Sequence, residues 1–539
     1  MRINNNSGGA MFRPYNQSQP FLFPPILEEL LPKDHPAHMI NDLVEKLDLI
    51  VLLNRYTNMG QPAYPPKLML KIILYGFSVG VFSSRKLARS CHENLAFKYL
   101  AGMETPAFKT FIEFRNRHQE DMKGVFLQTV KLAQELGLKT LGAVALDGTK
   151  IQADTSKHKA MSHGRMLEEE KRLKDEIETL LKKAEQTDAQ EDREHGAEKD
   201  GYSLTDELAY REQRLQKIEE ARAALEEREK KDHPDVPIDP KKQISFADTE
   251  ARCFSKTSDG THYVYNAQVA VDMDTQVIVE NHIEDSVSDA GAVEAVLASM
   301  ETDLGVKPAA LVADSGYANT KTLESCQDHQ VIPVCAASRE GKKTVSTEGV
   351  VRFDNLNAFS YDEKANVFAC SHGFLFAFDR WDEKEIIATY RCADDPSCSC
   401  GRGVRERVVR VRKSHLARRE FQRIMVLNKD LYARRKCTVE PVFGQIKSGM
   451  GFRRCFYRGR KKVSSEWNVV CAAFNLKKIA ALIKAGVFTK PVPMSSPQPI
   501  GPAIPIATYF FGLMTHGMRL FKLLVPRINF QSFSLAHCG

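Results

Sequence analysis

Three carboxylates occupy positions from which they could act together on one substrate. Asp147 directly follows the apolar run AVAL and precedes a glycine, and Asp314 directly follows the apolar run ALVA and precedes SGY. Short apolar runs that end in a turn are typical of buried strands, so both aspartates are expected at strand ends. Glu440 lies in the stretch YARRKCTVEPVFGQIK (432–447), which we interpret as a helix.

Carboxylates that are brought together repel one another unless a cation neutralises them. A small number of hard oxygen ligands suits Mg²⁺ or Mn²⁺. Two such ions about 4 Å apart stabilise both the attacking and the leaving oxygen of an in-line phosphoryl displacement. If a mixed sheet joins the two strand ends and the helix packs across that edge, Asp147, Asp314 and Glu440 are predicted to form such a site.

The charge of the chain is concentrated in one region. Residues 401–462 contain 20 Lys and Arg against four acids, a local net charge of +16, whereas the whole chain of 539 residues carries only +7. The remainder is therefore acidic, with a net charge of −9. A localised basic region on an acidic protein indicates a polyanionic partner, and apolar residues run through it, so we expect it to fold.

The helix around Glu440 also fits a plainer interpretation. Glu440 and Lys447 lie seven residues apart and share one stripe, whereas Val439, Phe443 and Ile446 form a separate apolar stripe. A solvated basic helix with a salt-bridging glutamate has the same pattern. A two-carboxylate hydrolase such as a glycosidase is a further alternative, but it leaves the basic region unexplained.

The N-terminal part predicts helices. Pro65-Pro66, Ser83-Ser84 and Thr105-Pro106 each mark a helix start, and the third helix carries Arg115 and Arg117. Three short helices with a basic last member are typical of a helix-turn-helix unit, which places its last helix in the DNA major groove. A plain helical bundle fits the spacing equally well.

The middle of the chain predicts a mixed sheet with helices beside it. The runs YVYNAQVAVD (263–272) and QVIVE (276–280) flank a short turn and predict an antiparallel hairpin. A further strand is predicted over 331–334, and helices over 288–300 and 319–327. Together with the two aspartate strands, these elements predict an α/β or α+β fold.

Two stretches interrupt this pattern. From about 166 to 231 the chain is rich in Glu, Lys, Arg, Leu and Ala with heptad-like apolar spacing, which predicts a helical hairpin that packs on itself or serves self-association. From about 340 to 425 an insertion carries Cys370, Cys392, Cys398 and Cys400. These could bind zinc, but they form no CxxC pair, which favours free thiols. The proline-rich stretch after 485 predicts a loosely ordered tail.

The sequence gives no indication of a membrane protein. The N-terminal residues are polar, and the most apolar candidate, 503–525, is interrupted by His516, Arg519 and Lys522. Twelve cysteines in a chain of this length do not indicate a disulfide framework. We therefore expect a cytoplasmic protein with reduced thiols and no membrane partner.

Several motifs occur in a familiar order. They are GQPAYPPKLMLKIILYGF (60–77), FKTFIEFRNRH (108–118), ALDGTKI (145–151), YNAQVAVD (265–272), VADSGYAN (312–319), VEPVFGQIKSGMGFRR (439–454), YRG (457–459) and FNLKKI (474–479). Over roughly residues 15–485 the chain resembles the DDE transposases of bacterial insertion sequences. Tyr432, Arg435, Glu440 and Lys447 resemble the family's tyrosine–arginine–glutamate–lysine signature. The arginine-to-glutamate spacing is one residue longer than the commonest form, and Lys436 occupies the usual place of the arginine.

The resemblance implies an RNase H-like catalytic core with a mixed five-stranded sheet, preceded by an all-helical domain. It implies that Asp147, Asp314 and Glu440 are catalytic and bind Mg²⁺ or Mn²⁺. The residues implied to contact DNA are Tyr432, Arg435, Lys447, Arg453 and Arg454. The implied substrates are double-stranded terminal inverted repeats and target DNA, with a 3′ hydroxyl as the attacking group. A homodimer on DNA, associated with the bacterial nucleoid, is expected.

The expected organisation has three parts. Residues 1–138 form a helical DNA-binding domain, and residues 139–485 form the catalytic domain. That domain is interrupted by the helical hairpin at about 160–235 and the cysteine-bearing insertion at about 340–425. Residues 486–539 form the tail. The alternative to a DNA-cleaving and strand-transferring transposase is a catalytically inactive relative that only binds DNA ends, although all three acids are present.

Overall fold

The computed structural model describes residues 27–56, 62–138, 141–155, 159–194, 202–256, 260–289, 291–337, 359–362, 365–370, 373–382, 387–392 and 408–488. Cys398, Cys400 and nearly all of the predicted tail lie outside these residues. In the described ranges the α-helices are α1 (Pro36–Glu45), α2 (Ile50–Leu53), α3 (Pro66–Ser78), α4 (Ser84–Glu93), α5 (Leu95–Ala101), α6 (Phe108–Arg117), α7 (Met122–Leu136), α8 (His163–Glu194), α9 (Tyr202–Asp232), α10 (Ala292–Leu304), α11 (Thr320–Asp328), α12 (Lys413–Leu427), α13 (Lys429–Gly444) and α14 (Arg460–Lys484).

The strands belong to a mixed central sheet, a second sheet and a two-stranded ribbon. They are β1 (Ala143–Gln152), β2 (Ala160–Ser162), β3 (Gln243–Ser245), β4 (Arg252–Lys256), β5 (Gly260–Asp272), β6 (Ile278–Glu284), β7 (Ala310–Ala313), β8 (Ile332–Cys335), β9 (Phe359–Asp362), β10 (Val367–Cys370), β11 (Leu375–Asp382), β12 (Ile387–Cys392) and β13 (Val408–Arg412). The predicted hairpin of β5 and β6 and the strands that lead to Asp147 and Asp314 are confirmed.

The central sheet has the order β4-β5-β1-β7-β8, with β6 also paired to β5. β5 is antiparallel to β1, β4 and β6, whereas β7 is parallel to both β1 and β8. The expected sheet had five strands, and the observed one has six. The difference arises because β5 is 13 residues long, so its first part pairs with β4 and its second part with β6.

The strand β1 does not end at Asp147, which corrects the predicted glycine turn. It continues through Gly148 to Gln152, paired residue by residue with β5. Its pairing with β7 on the other side is confined to Ala143–Ala145. Asp147 therefore lies two residues beyond the parallel pairing but in the interior of the antiparallel pairing.

The helices at the N-terminus and α14 share one apolar core with the central sheet. α14 packs against α1, α3 and α7 and also against β6. Asn475 of α14 is fully buried, and its side chain donates to the backbone oxygen of Ile278 (2.8 Å) and accepts from the Ile278 N–H (2.9 Å). These bonds satisfy polar backbone at the start of β6, which fixes the helix on the sheet.

Two further units leave the central sheet. α8 and α9 form the predicted helical hairpin, with a small core at its base that contains Met166, Leu173, Leu225 and Ile244 of β3. β9 to β13 form an antiparallel sheet in the cysteine-bearing insertion, which the sequence did not predict. Across the described ranges, no helix combines the length and the apolar character that crossing a lipid bilayer requires.

Candidate active site

Asp147 lies on β1, and Asp314 directly follows the end of β7, the neighbouring parallel strand. Ala145 of β1 is paired with Val312 of β7, and each aspartate follows two residues later. Neighbouring strands lie about 4.8 Å apart, and side chains at matching positions of parallel strands point to the same face. The mixed sheet thus brings together two carboxylates that are 167 positions apart in the chain.

The surroundings of Asp147 work against its negative charge. The pKa of Asp147 is raised to about 6, because burial and the nearby carboxylates of Asp314 and Asp289 raise it more than Arg435 and the Gly148 N–H lower it. The Gly148 N–H donates to Asp147 Oδ1 over 2.8 Å. A carboxylate held in this way binds cations favourably, because a cation relieves both the desolvation and the repulsion.

Helix α13 places a cation on this aspartate. α13 packs across β1 and β7. Its own residues Val439 and Val442 are fully buried. Arg435 lies on the same buried side, only 8% exposed, and its Nη1 is 3.2 Å from Asp147 Oδ2. Arg435 therefore neutralises Asp147, whereas its predicted contact with DNA stays a prediction.

The middle of α13 is held by a bond from the β5–β6 turn. Pro441 lies inside the helix and has no N–H to donate to the carbonyl four residues earlier. That carbonyl, of Cys437, accepts instead from Gln276 Nε2 over 2.9 Å. The proline therefore leaves a carbonyl that ties the helix to the sheet next to Glu440.

Glu440 does not join the two aspartates. It is exposed on α13, five residues after Arg435, which corresponds to about 7.5 Å along the helix axis and a rotation of about 140°. In the part of the chain that the structure describes, no three His, Cys, Asp or Glu side chains are grouped so that they could hold a metal ion. The pair Asp147–Asp314 is thus the part of the predicted acidic triad that the fold brings together.

A polar network beside Asp147 was not predicted from the sequence. Asp289 Oδ1 accepts from Gln268 Nε2 (2.7 Å), Asn266 Nδ2 (2.7 Å) and Lys150 Nζ (3.1 Å). Gln268 in turn accepts from the buried Tyr317 hydroxyl over 2.5 Å. Because Tyr317 follows Asp314 by three residues, the network connects the segments that carry both aspartates. In the sequence, the polar Gln268 within the otherwise apolar strand motif YNAQVAVD was a signal that a buried polar network exists. No sequence pattern marked Asp289 as part of it.

The basic residues that the resemblance selected lie around the end of β1. Lys447 Nζ donates to the backbone oxygen of Lys150 over 3.2 Å. Arg453 donates to the backbone oxygen of Lys447 over 3.0 Å, and Arg454 pairs with Asp154. Tyr432 is half-buried against the main core. Lys447, Arg453 and Arg454 therefore lie around the C-terminal end of β1.

The last helix of the predicted helix-turn-helix directs one of its arginines inward. Arg115 of α6 donates to the backbone oxygen of Phe82 over 2.9 Å and lies over the Phe77 ring at 4.9 Å. Arg117 remains exposed and lies over the Tyr56 ring at 4.8 Å. Arg115 therefore joins helices within the N-terminal part, while Arg117 keeps surface that a partner could contact.

The cysteines of the insertion are core residues where they are described. Cys370 of β10 and Cys392 of β12 are both buried among Phe368, Phe376 and Tyr390. Neither cysteine is part of a disulfide bond. The role of Cys398 and Cys400 as zinc ligands stays a prediction, since neither lies among the described residues.

Two protein families match the chain. The family described as Transposase domain (DUF772) matches residues 25–117, and the family described as Transposase DDE domain matches residues 232–476. The second match includes Asp314 and Glu440 and begins after Asp147. No curated protein matches the sequence significantly.

Proposed function

Because the chain belongs to the DDE transposases of insertion-sequence type, we propose that it binds the terminal inverted repeats of a mobile DNA element. We further propose that it cleaves DNA at these repeats and joins the freed 3′ hydroxyl to target DNA. The observation that supports the proposal is the register of β1 and β7, in which Ala145 is paired with Val312, two residues before Asp147 and Asp314 respectively. The adjacent basic residues supply the contacts that a phosphodiester backbone requires.

We assign the central sheet to the RNase H-like fold that the resemblance implies. In support, β6, β5 and β1 form an antiparallel meander, and β7 and β8 extend it in parallel. α10 connects β6 to β7, and α11 connects β7 to β8. The helical hairpin α8–α9 interrupts this unit between β1 and β5, as the proposed domain organisation requires.

The two aspartates fit a divalent cation. They offer hard carboxylate oxygens on adjacent strands, and the Asp147 side chain is 18% exposed, so that it is accessible from the sheet edge. Asp147 and Asp314 would hold the ion, which we propose to be Mg²⁺ or Mn²⁺. When bound, such an ion supplies charge stabilisation for the attacking and leaving oxygens of the phosphodiester.

The residues of the chain itself prepare this site. Arg435 and the Gly148 N–H hold the Asp147 carboxylate in one orientation and offset its charge. We propose Glu440 as the third acid, supported by its position on the helix that carries Arg435 across β1 and by its inclusion in the DDE domain match. Lys447 is fixed on β1 by its bond to Lys150 and would bind a phosphate next to the cut.

The proposal is tested with Asp147→Asn, Asp314→Asn and Glu440→Gln in the full chain. DNA ends taken from the regions that flank the reading frame are incubated with each variant in Mg²⁺ or Mn²⁺, and 3′-end cleavage and binding are measured separately. Each variant should lose at least about 100-fold in cleavage while end binding changes less than threefold. The exposed acids Asp34 and Glu93 provide matched controls as Asp34→Asn and Glu93→Gln, which should cleave like the wild type.

Each outcome bears on a named residue. A variant that still cuts at the wild-type rate removes its residue from the site. Mn²⁺ should also raise the thermal midpoint of the wild type and not that of Asp147→Asn or Asp314→Asn, because binding to the folded state stabilises it. Specific end binding by the wild type without cleavage in either metal would favour the inactive relative. A homodimer on DNA, which we also propose, is read from the mass of the end complex.

A further inference from the structure

The base of the α8–α9 hairpin contains an arginine whose donors have no acceptor among the described residues. Arg228, near the end of α9, has a side chain that is 14% exposed, and its buried Nε and Nη1 atoms donate to no described group. The carboxylate of Glu229 approaches Nε only to 4.0 Å, and Glu229 pairs more closely with Lys242, at 3.1 Å. Burying a charge is very unfavourable unless it is paired and hydrogen-bonded, so Arg228 requires a negative partner.

A second donor without an acceptor lies on the central sheet near this arginine. Tyr263 of β5 is 2% exposed, and its hydroxyl forms no hydrogen bond with the described residues. Tyr263 is paired directly with Cys253 of β4, so the two side chains lie on the same face of the sheet. Burial raises the pKa of both Tyr263 and Cys253, and the charge of Arg228 lowers the pKa of both. The guanidinium, the hydroxyl and the thiol therefore share one small region.

An ion pair fixes the end of α9 beside the edge strand β4. Asp232, the last residue of α9, pairs with Arg252 of β4 at 3.0 Å, and Arg252 directly precedes Cys253. Arg228 lies four residues before Asp232 and therefore on the same side of the helix. This side of α9 faces the edge of the sheet, which brings Arg228 to the strand pair that carries Cys253 and Tyr263.

The ion pairs in this region leave positive charge uncompensated. The cations are Arg228, Lys231, Lys242, Arg252 and Arg460, and the acids are Glu229, Asp232 and Asp285. Five cations therefore share three acids. Lys231 and Arg460 keep 73% and 45% of their side chains exposed to water, whereas Arg228 is largely buried. One buried positive charge therefore remains to be neutralised.

We propose that the base of the hairpin binds one monovalent anion of the size of chloride, held by the guanidinium of Arg228 and the hydroxyl of Tyr263, next to the Cys253 thiol. A guanidinium has donors only, and a phenol hydroxyl rotates its proton toward an acceptor, so both groups suit an anion. A single charge matches the one buried cation, whereas a dianion such as phosphate would leave a buried negative charge unpaired.

The anion would join two parts of the chain that are otherwise held mainly by surface ion pairs. Arg228 belongs to the hairpin, and Tyr263 belongs to the central sheet. An ion that contacts both side chains binds only while the hairpin base is closed on the sheet, so it stabilises the closed arrangement. The inference concerns the attachment of the hairpin and does not depend on the proposed DNA chemistry.

The test is amide hydrogen exchange of the full chain, measured by mass spectrometry in sodium chloride and in sodium gluconate at the same ionic strength. Gluconate is too large for a site of chloride size. Arg228→Gln removes the cation, and Tyr263→Phe removes only the hydroxyl and keeps the buried ring. Arg89→Gln in α4 and Tyr75→Phe in α3, where Tyr75 is 5% exposed, change the same groups outside the site and serve as matched controls.

In the wild type, chloride at about ten times its dissociation constant should slow exchange at the end of α9 and in β4 about tenfold relative to gluconate. Arg228→Gln should abolish this difference. Tyr263→Phe should raise the half-saturating chloride concentration about tenfold or more, the effect of losing one hydrogen bond to a charged group. Both control variants should respond to chloride like the wild type.

Three results would overturn the inference. Equal exchange of the wild type in chloride and gluconate would leave an ordered water as the partner of these donors. Protection by chloride that persists unchanged in Arg228→Gln, or in Tyr263→Phe, would place the anion elsewhere. Protection by sodium phosphate without protection by chloride would exclude a monovalent ion. If Arg228→Gln does not fold, the chloride titration of Tyr263→Phe decides, because that substitution removes only an unpartnered hydroxyl.

Discussion

Gly148→Ala is expected to damage the site next to Asp147 although it adds a single methyl group. Gly148 lies directly opposite Gln268 in the antiparallel pairing of β1 and β5. A Cβ at this position would lie 2.3 Å from Gln268 Nε2 and 2.7 Å from Asp289 Oδ1. Both distances are below any tolerated contact, so the amide and the carboxylate must move.

The cost follows from the bonds that these two groups make. Moving them breaks the hydrogen bond between Asp289 and Gln268. It also strains the hydrogen bond of Asp289 with Asn266 and that of Gln268 with Tyr317. Gln268 is fully buried, and leaving a buried polar group unsatisfied costs about 1–3 kcal/mol. With one or two groups affected, Gly148→Ala should lose about 3 kcal/mol. At roughly 2–4 °C per kcal/mol, the thermal midpoint should fall by about 6–12 °C.

The measurement is thermal unfolding of the metal-free chain, compared with two matched substitutions. A Cβ added at Gly124 or Gly142 meets no atom within 4 Å, and Gly124 lies within helix α7, where alanine is preferred by about 0.5–1 kcal/mol. Gly124→Ala and Gly142→Ala should therefore unfold at or slightly above the wild-type temperature. If Gly148→Ala unfolds at the same temperature as these two variants, Gln268 and Asp289 are not packed against β1. The description of the surroundings of Asp147 is then wrong.

Two charged groups give predictions that depend on pH. Burial raises the pKa of Glu466 from an ordinary 4.5 to about 7, so the folded chain keeps a proton that the unfolded chain loses, and stability falls by about 3 kcal/mol as the pH rises from 4.5 to 7. Glu466→Gln stays neutral, so its urea unfolding midpoint should rise relative to that of the wild type between pH 5 and pH 8. An equal difference between the two midpoints at both pH values would contradict this. Arg435→Gln removes the cation beside Asp147, whose pKa is about 6, so it should cost about 1–3 kcal/mol at pH 8 and less at pH 5, where Asp147 is protonated. Arg435→Lys keeps the charge and serves as the control, and an equal loss at both pH values would show that the loss is one of packing.

Local patterns predicted the elements that carry the site. Apolar runs before Asp147 and Asp314 became β1 and β7, and the helix around Glu440 became α13. These predictions succeeded because each depends on a few consecutive residues. The glycine after Asp147 was misinterpreted as a turn. The requirement for glycine comes from Gln268 and Asp289, more than 100 positions away, and such a contact leaves no mark on the neighbouring sequence.

The second sheet was missed for a related reason. Its five strands are short, and their side chains bury only a small core around Phe368, Phe376 and Tyr390. The cysteines in this stretch were considered as zinc ligands, although their spacing favours free thiols. Cys370 and Cys392 are buried in this small core, in β10 and β12. The periodicity of β11 and β12 was the signal that a sheet was present.

The unusual spacing of the signature residues has a physical consequence for α13. Residues four apart on a helix are separated by about 40°, whereas residues five apart are separated by about 140°. Lys436, four residues before Glu440, is accordingly exposed on the same side as the glutamate. Arg435, one residue earlier, is rotated into the sheet and reaches Asp147. Arg435 therefore pairs with Asp147, whereas Lys436 lies on the exposed side of α13 that also carries Glu440.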